Sequence, residues 1–198
     1  MLIIKHRLNT IRKLEKLNYD YGAEIDIRSY KQDIIISHDP FKKGEKLIEW
    51  LKNFKHKFIV FNIKEEGLEF QLQKLLIKFN IKEFFLLDQS FPFYVKNIKT
   101  FGKKSSIRIS EFEGIGRAIK LRKFTSWLWI DHFSKFPLSN ENIKTLNSLN
   151  FKFCVVSPEL ISEVNLLKKI SIIKNIFKKA GVKIDAVCTK KPSYWIEN

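Results

Sequence analysis

The chain has 198 residues, enough to bury one sizeable core, and its 7 Gly and 5 Pro are scattered without marking a linker. The 37 Lys and Arg against 21 Asp and Glu leave a formal charge of +16, yet the lysines are spread over nearly every segment. Lys, Ile, Asn and Phe are raised together, so the charge reads as compositional drift: it argues against a specific nucleic-acid site while still drawing in a small anionic substrate.

LIIKH (2–6) reads as a first strand running out into His6-Arg7, and NTIRKLEKL (9–17) as a helix after it. The opening MLIIKHRLNT returns to charge too early for a secretion signal. No later apolar run approaches the ~20 residues of a membrane span, so a cytoplasmic protein is expected. In GAEIDIR (22–28), strand alternation puts Ala23, Ile25 and Ile27 on one face and Glu24, Asp26 and Arg28 on the other. A surface strand with solvated acids has the same pattern. DIIISHD (33–39) is a further extended piece that follows without a helix. GEKLIEWLKNF (44–54) is helical in period, and KFIVFNI (57–63) is a strand whose end aligns Asn62 with Lys64.

The second half continues the alternation. Helix LEFQLQKLLIKF (68–79) is followed by strands EFFLLD (83–88), SSIRIS (105–110) and SWLWID (126–131). Helix 140–149, strand FKFCVV (151–156), a long helix over 160–181 and strand IDAVCT (184–189) complete the chain. Strands mostly separated by helices imply parallel pairing through right-handed crossovers. The count fits an α/β (β/α)8 barrel with short loops, a single domain over 1–198. A doubly wound open sheet is the alternative, weakened because no strand is followed by a Gly-rich phosphate loop.

In such a barrel, function collects at the C-terminal ends of the strands. Those ends carry His6-Arg7, Glu24 and Asp26, His38-Asp39, and Asn62 with Lys64. Later ends carry Asp88, Arg108 with Ser110, Asp131-His132, Ser157 and Thr189. Acids turned inward without a cation are costly, so they imply a bound cation or basic partners. His56 precedes its strand and is expected on the surface. His132 alternates away from Trp127, Trp129 and Asp131, leaving open which set faces inward, and the Trp pair reads as core. Cys154 and Cys188, with no CxxC and no zinc-like His spacing, read as buried free thiols.

HR followed closely by NT, then GAEIDI, then ISHD, then a strand ending in NIK resembles the glycerophosphodiester phosphodiesterase family of phospholipase C-like barrels. That family's pattern runs His-Arg-Gly, Glu-Asn-Thr, Glu-x-Asp, His-Asp and Glu-x-Lys in this order. GVKIDAVCTKKP (181–192) is similar to its closing strand. The likeness is specific over 4–64, faint in the middle and moderate again over 181–192. It implies hydrolysis of a small glycerophosphodiester-like substrate. Glu24, Asp26 and Asn62 would hold Mg²⁺ or Ca²⁺, ions suited to hard oxygen ligands. His6 and His38 would be general base and general acid on opposite sides of phosphorus, and Arg7 and Lys64 would neutralise the phosphate.

The chain also departs from that pattern. Leu8 stands in the glycine position, Asn62 replaces a metal-binding glutamate, and Lys190 replaces the aspartate of the closing motif. The stretch from His38-Asp39 to Asn62 lacks the family's insertion over the glycerol moiety. Glu66 shares the parity of Asn62 and is a candidate for the missing charge. Two other readings fit the residues: a barrel without activity that serves as a binding protein, and an unrelated barrel enzyme acting on a phosphorylated sugar, with Lys64 as a Schiff-base lysine.

Overall fold

The computed structural model describes residues 1–196. The chain forms two compact units, one over Ile4–Phe101 and one made by Met1–Ile3 with the residues from Gly102 onward. After β1 (Leu2–Lys5), the first unit contains α1 (Ile11–Leu14), β2 (Gly22–Tyr30), β3 (Asp33–Ile36), β4 (Glu45–Lys46) and α2 (Leu47–Lys52). It continues with β5 (Phe58–Ile63), α3 (Glu69–Lys78), β6 (Phe84–Leu87), α4 (Phe91–Lys96) and α5 (Ile98–Phe101).

β2 organises this unit. Its first half pairs in parallel with β1, Ile4 opposite Gly22, and its whole inner length pairs in parallel with β5, from Gly22–Phe58 to Ile27–Ile63. β6 continues the sheet beside β5. Gly22 is required here, because a Cβ would stand 2.9 Å from the Phe58 carbonyl oxygen. The outer half of β2 turns back into the antiparallel β3, Ile27 opposite Ile36, which explains why DIIISHD needs no helix before it.

Ala23, Ile25 and Ile27 join Ile59, Phe61 and Ile63 in an apolar core with Trp50 and Leu72. Each fully buried Ile, Leu or Phe side chain among these contributes ~1.5–3 kcal/mol by leaving water. The opposite face of β2 is equally buried, with Glu24 1% and Asp26 0% exposed, so β2 is not a surface strand.

Leu8 explains its own departure from glycine. Its side chain is buried in the same core, and its carbonyl accepts the indole N–H of Trp50 at 3.1 Å. Leu8→Ala is expected to cost about 2–4 kcal/mol, read as a lower urea midpoint with an unchanged slope.

Helix α1 is shorter than its periodic pattern. Thr10 caps it, the Glu45 carboxylate accepts the Ile11 N–H at 2.6 Å, and it ends at Leu14. His56 is a correction: it is buried between Tyr19 and Phe54, with ring centroids 5.1 and 5.5 Å away, and its Nε2 lies 3.1 Å from the Leu17 carbonyl. A His that packs its ring and satisfies a carbonyl is a core residue even when it sits between two lysines in sequence.

The second unit holds β7 (Ser106–Ile109), α6 (Gly116–Leu121), β8 (Trp127–Ile130), α7 (Asn140–Ser148), β9 (Lys152–Val156), α8 (Leu166–Ala180) and β10 (Ala186–Thr189). β7, β8, β9 and β10 pair in sequence order, all parallel. Every expected strand forms. α8 starts later than its pattern because Pro158–Leu160 winds as a 3-10 turn and Asn165 takes a left-handed φ of 54°. Cys154 and Cys188 are both fully buried. Among the described residues, no helix is long and apolar enough to cross a membrane.

Candidate active site

The site is built within the first unit, around the polar face of β2. Because β5 runs in register beside it, Asp26 lies opposite Asn62 and both side chains join the same face. The Asn62 amide donates to Glu24 Oε1 at 3.1 Å. Just past β5, the Lys64 ammonium stands 3.2 Å from Asp26 Oδ1.

The segment after β1 closes over these acids. Arg7 adopts a left-handed φ of 50°. In that conformation its backbone N–H donates to Glu24 Oε2 at 2.7 Å, while the next N–H, of Leu8, donates to the Glu24 carbonyl at 2.8 Å. His6 Nε2 lies 3.9 Å from the same Glu24 oxygen. Asn9 grips Asp26 twice: its amide donates to Oδ2 at 2.8 Å, and its oxygen accepts the Asp26 backbone N–H at 3.1 Å.

His38 arrives from the segment after β3, placed by the Ser37 N–H donating to the Asp26 carbonyl at 3.0 Å. Arg7 links it to the acids. Its Nε is 3.8 Å from Asp26 Oδ2, and its Nη2 donates to His38 Nε2 at 2.7 Å. A guanidinium can only donate, so Nε2 accepts and the imidazole proton sits on Nδ1, 2.9 Å from Asp39 Oδ1. Hydrogen bonds from Lys42 and then His38 hold the Asp39 carboxyl at about 2, below its ordinary value. The site thus brings His6, Arg7, Glu24, Asp26, His38, Asn62 and Lys64 into one connected cluster.

Burial, and then the Asp26 charge beside it, push the Glu24 carboxyl up to about 7 against the lowering effect of the Arg7 N–H and the Asn62 amide. This raised value couples stability to pH. The stabilisation from a protonated Glu24 is complete below the ordinary carboxyl value of 4.5 and is lost as pH rises through about 7. Chelator-treated protein is expected to lose on the order of 3 kcal/mol across that window. Denaturation titrations at pH 5 and pH 8 check it, and Glu24→Gln should flatten the difference.

The donor set fits a hard divalent cation. Asn62 Oδ1 is buried and accepts no hydrogen bond, and Asp26 Oδ1 likewise accepts none, its neighbour being the Lys64 ammonium. Two carboxylates and one amide oxygen are oxygen donors of the kind Mg²⁺ and Ca²⁺ take. Among the described residues, no group of three or more His, Cys, Asp and Glu is placed to hold a metal; the amide oxygen of Asn62 is the further oxygen donor beside the two acids. Glu66 does not join: it lies past the end of β5 and accepts the Ser90 hydroxyl.

Two residues named in the sequence patterns, but given no role there, act as positioning residues. Asn9 is one, and its grip on Asp26 spans 17 positions. Arg28 is the other. Its Nε donates to the His38 carbonyl at 3.2 Å and its Nη1 to Glu65 at 3.3 Å, tying the His38 segment to the end of β5. Its parity with Glu24 and Asp26 was the available signal.

In the second unit, the strand-end residues bind one another. Arg108 donates to Asp131 at 3.0 Å, His132 Nε2 lies 3.2 Å from the Val156 carbonyl, and Ser157 and Thr189 both donate to the buried Glu159. Trp129 is core, whereas Trp127 stays partly exposed under the Lys152 ammonium.

No family profile and no curated protein sequence matches the chain. Solved structures do. A glycerophosphoryl diester phosphodiesterase from Parabacteroides distasonis aligns over 98% of this chain and 84% of its own, with TM-score 0.65 and 14% identity. A glycerophosphodiester phosphodiesterase from Agrobacterium tumefaciens aligns over 98% of this chain and 97% of its own, with TM-score 0.64 and 10% identity.

The chain has the glycerophosphodiester phosphodiesterase fold. That fold is an α/β (β/α)8 barrel, as expected from the spacing of strands and helices, and the doubly wound open sheet is set aside. At these identities the likeness is one of backbone architecture. In a barrel of this kind, functional side chains gather at the C-terminal ends of strands, and the cluster around Glu24 takes residues from the ends of β1, β3 and β5.

Proposed function

We propose that the protein hydrolyses a small anionic phosphodiester of glycerophosphodiester type, as a single (β/α)8 domain over 1–198 acting in the cytoplasm, with a divalent cation and without specific nucleic-acid binding. The observation that carries this reading is the buried Glu24–Asp26 pair beside an Asn62 side-chain oxygen that accepts no hydrogen bond, with two imidazoles at its rim. The fold likeness supports the reaction class, and the side-chain cluster supports the residues.

Glu24, Asp26 and Asn62 would hold Mg²⁺ or Ca²⁺, which when bound supplies positive charge to a phosphate oxygen and acidifies a nucleophilic hydroxyl or water. His6, beside Glu24, takes the proton from the nucleophile as its oxygen bonds to phosphorus. Arg7 exchanges its donation to His38 Nε2 for the more strongly accepting phosphoryl oxygens. That exchange frees Nε2 to carry a proton, which His38 delivers to the leaving alcohol as the P–O bond breaks. Asp39 keeps the opposite ring nitrogen fixed, and Lys64 adds charge where the phosphorane becomes more negative.

The test is hydrolysis of glycerophosphodiesters with and without chelator. Cleavage should stop on chelation and return with Mg²⁺ or Ca²⁺. Cleavage that persists in chelator would remove the cation from the account.

A further inference from the structure

A cavity of about 880 Å³ opens in the second unit, lined partly by residues 182–184 before β10, and so at the opposite end of that strand from Thr189. Its floor is apolar and buried, made by Ile3, Phe177 of α8 and Trp195. The Trp195 indole N–H is already given to the Ser157 hydroxyl at 2.7 Å, so the ring offers the cavity only carbon.

The rim is cationic. Lys174 and Lys178 project one turn apart from α8, and Lys183 comes from the segment before β10; among the described residues, no acidic side chain lines the cavity. The Lys174 ammonium sits 5.9 Å from the centre of the Trp195 ring.

We infer that this cavity binds an anionic amphiphile, a single acyl-sized apolar body carrying a carboxylate or phosphate head. The volume lies within the ~300–1,000 Å³ of ordinary small-molecule sites, which are mostly apolar with a few placed polar groups. A floor without free donors rejects polar ligands, since their groups would be buried unpaired. Lysine stems can lie along apolar surface and still present an ammonium group to a charged partner. An anionic head would be drawn to these three cationic side chains, beside which no acid lines the cavity among the described residues. The chain's net charge of +16 acts in the same direction. None of the lining residues belongs to the catalytic cluster, so this site stands or falls apart from the reaction proposed above.

The probe is a lysophosphatidate below its micelle concentration, titrated calorimetrically in the presence of chelator. Lysophosphatidylcholine of the same chain and glycerol 3-phosphate are the controls. One lysophosphatidate should bind per chain, the zwitterionic lipid roughly tenfold or more weaker, and glycerol 3-phosphate without detectable heat. The double variant Lys174→Glu, Lys178→Glu should lose roughly tenfold or more in affinity at an unchanged melting temperature and with unchanged phosphodiesterase rate. If that variant melts early, Lys183→Glu alone should still weaken binding. Equal binding of the two lipids, or undiminished binding by a folded charge-reversed variant, would overturn the inference. So would binding to phosphatidylglycerol vesicles without binding to the monomer, which would mark a lipid-surface contact rather than a cavity.

Discussion

His6→Ala and His38→Ala should each lower turnover of a small phosphodiester by ~10²–10⁴, the usual worth of a positioned proton acceptor or donor. Folding should be nearly intact, because both residues lie at strand ends and neither belongs to the buried apolar core. The two variants are separable by leaving group. A general acid matters most when the leaving alkoxide is poor, as a glycerol or choline oxygen is, and little when it is a nitrophenolate. His38→Ala should therefore be partly rescued on a nitrophenyl diester, whereas His6→Ala should be impaired on both substrates. The reverse pattern would exchange the two roles. Equal loss on both substrates in both variants would mean that the imidazoles only position the phosphate.

Asn62→Glu carries the second large effect. The amide now donates to Glu24 Oε1, and the position lies directly beside Asp26 in the sheet. Glutamate removes that donor and adds a third buried acid to a pair in which Glu24 is already pushed up by burial and by Asp26. Without a cation, the variant should lose about 3–5 kcal/mol, the cost of an uncompensated buried charge. With Mg²⁺ or Ca²⁺ the order inverts. A carboxylate is a better ligand than a neutral amide for a hard ion, so metal affinity should rise and the thermal shift on adding the ion should exceed that of the wild type. Thermal denaturation with and without each ion reads both halves. A variant indifferent to the ion would remove Asn62 from the ligand set.

Much of the fold was legible because strand alternation and helix period are local. GAEIDIR and KFIVFNI stated which residues share a face, and parallel register then brought Asp26 beside Asn62. Burial was not legible. A strand with Glu24 and Asp26 on one face looks alike on a surface and inside a barrel, and only the covering segment from His6 to Asn9 distinguishes them. The same limit applies to His56, whose aromatic neighbours Tyr19 and Phe54 meet it through tertiary packing. The short helices α4, α5 and α6 carry too few turns to print a period, and such helices owe their stability to packing. Asn9 and Arg28 act on residues far along the chain, so their roles appear only once β2 and its neighbours are assembled.

The most direct test of the account is a rate measurement on a panel of glycerophosphodiesters, using protein saturated in turn with Mg²⁺ and Ca²⁺, beside the Glu24→Gln, Asp26→Asn double variant. The account predicts cleavage of at least one diester with one of the ions, abolished in the double variant although it remains folded. Saturated wild-type protein that cleaves no diester, together with an Asn62→Glu variant that changes neither ion binding nor rate, would contradict it and leave a barrel that binds without catalysing.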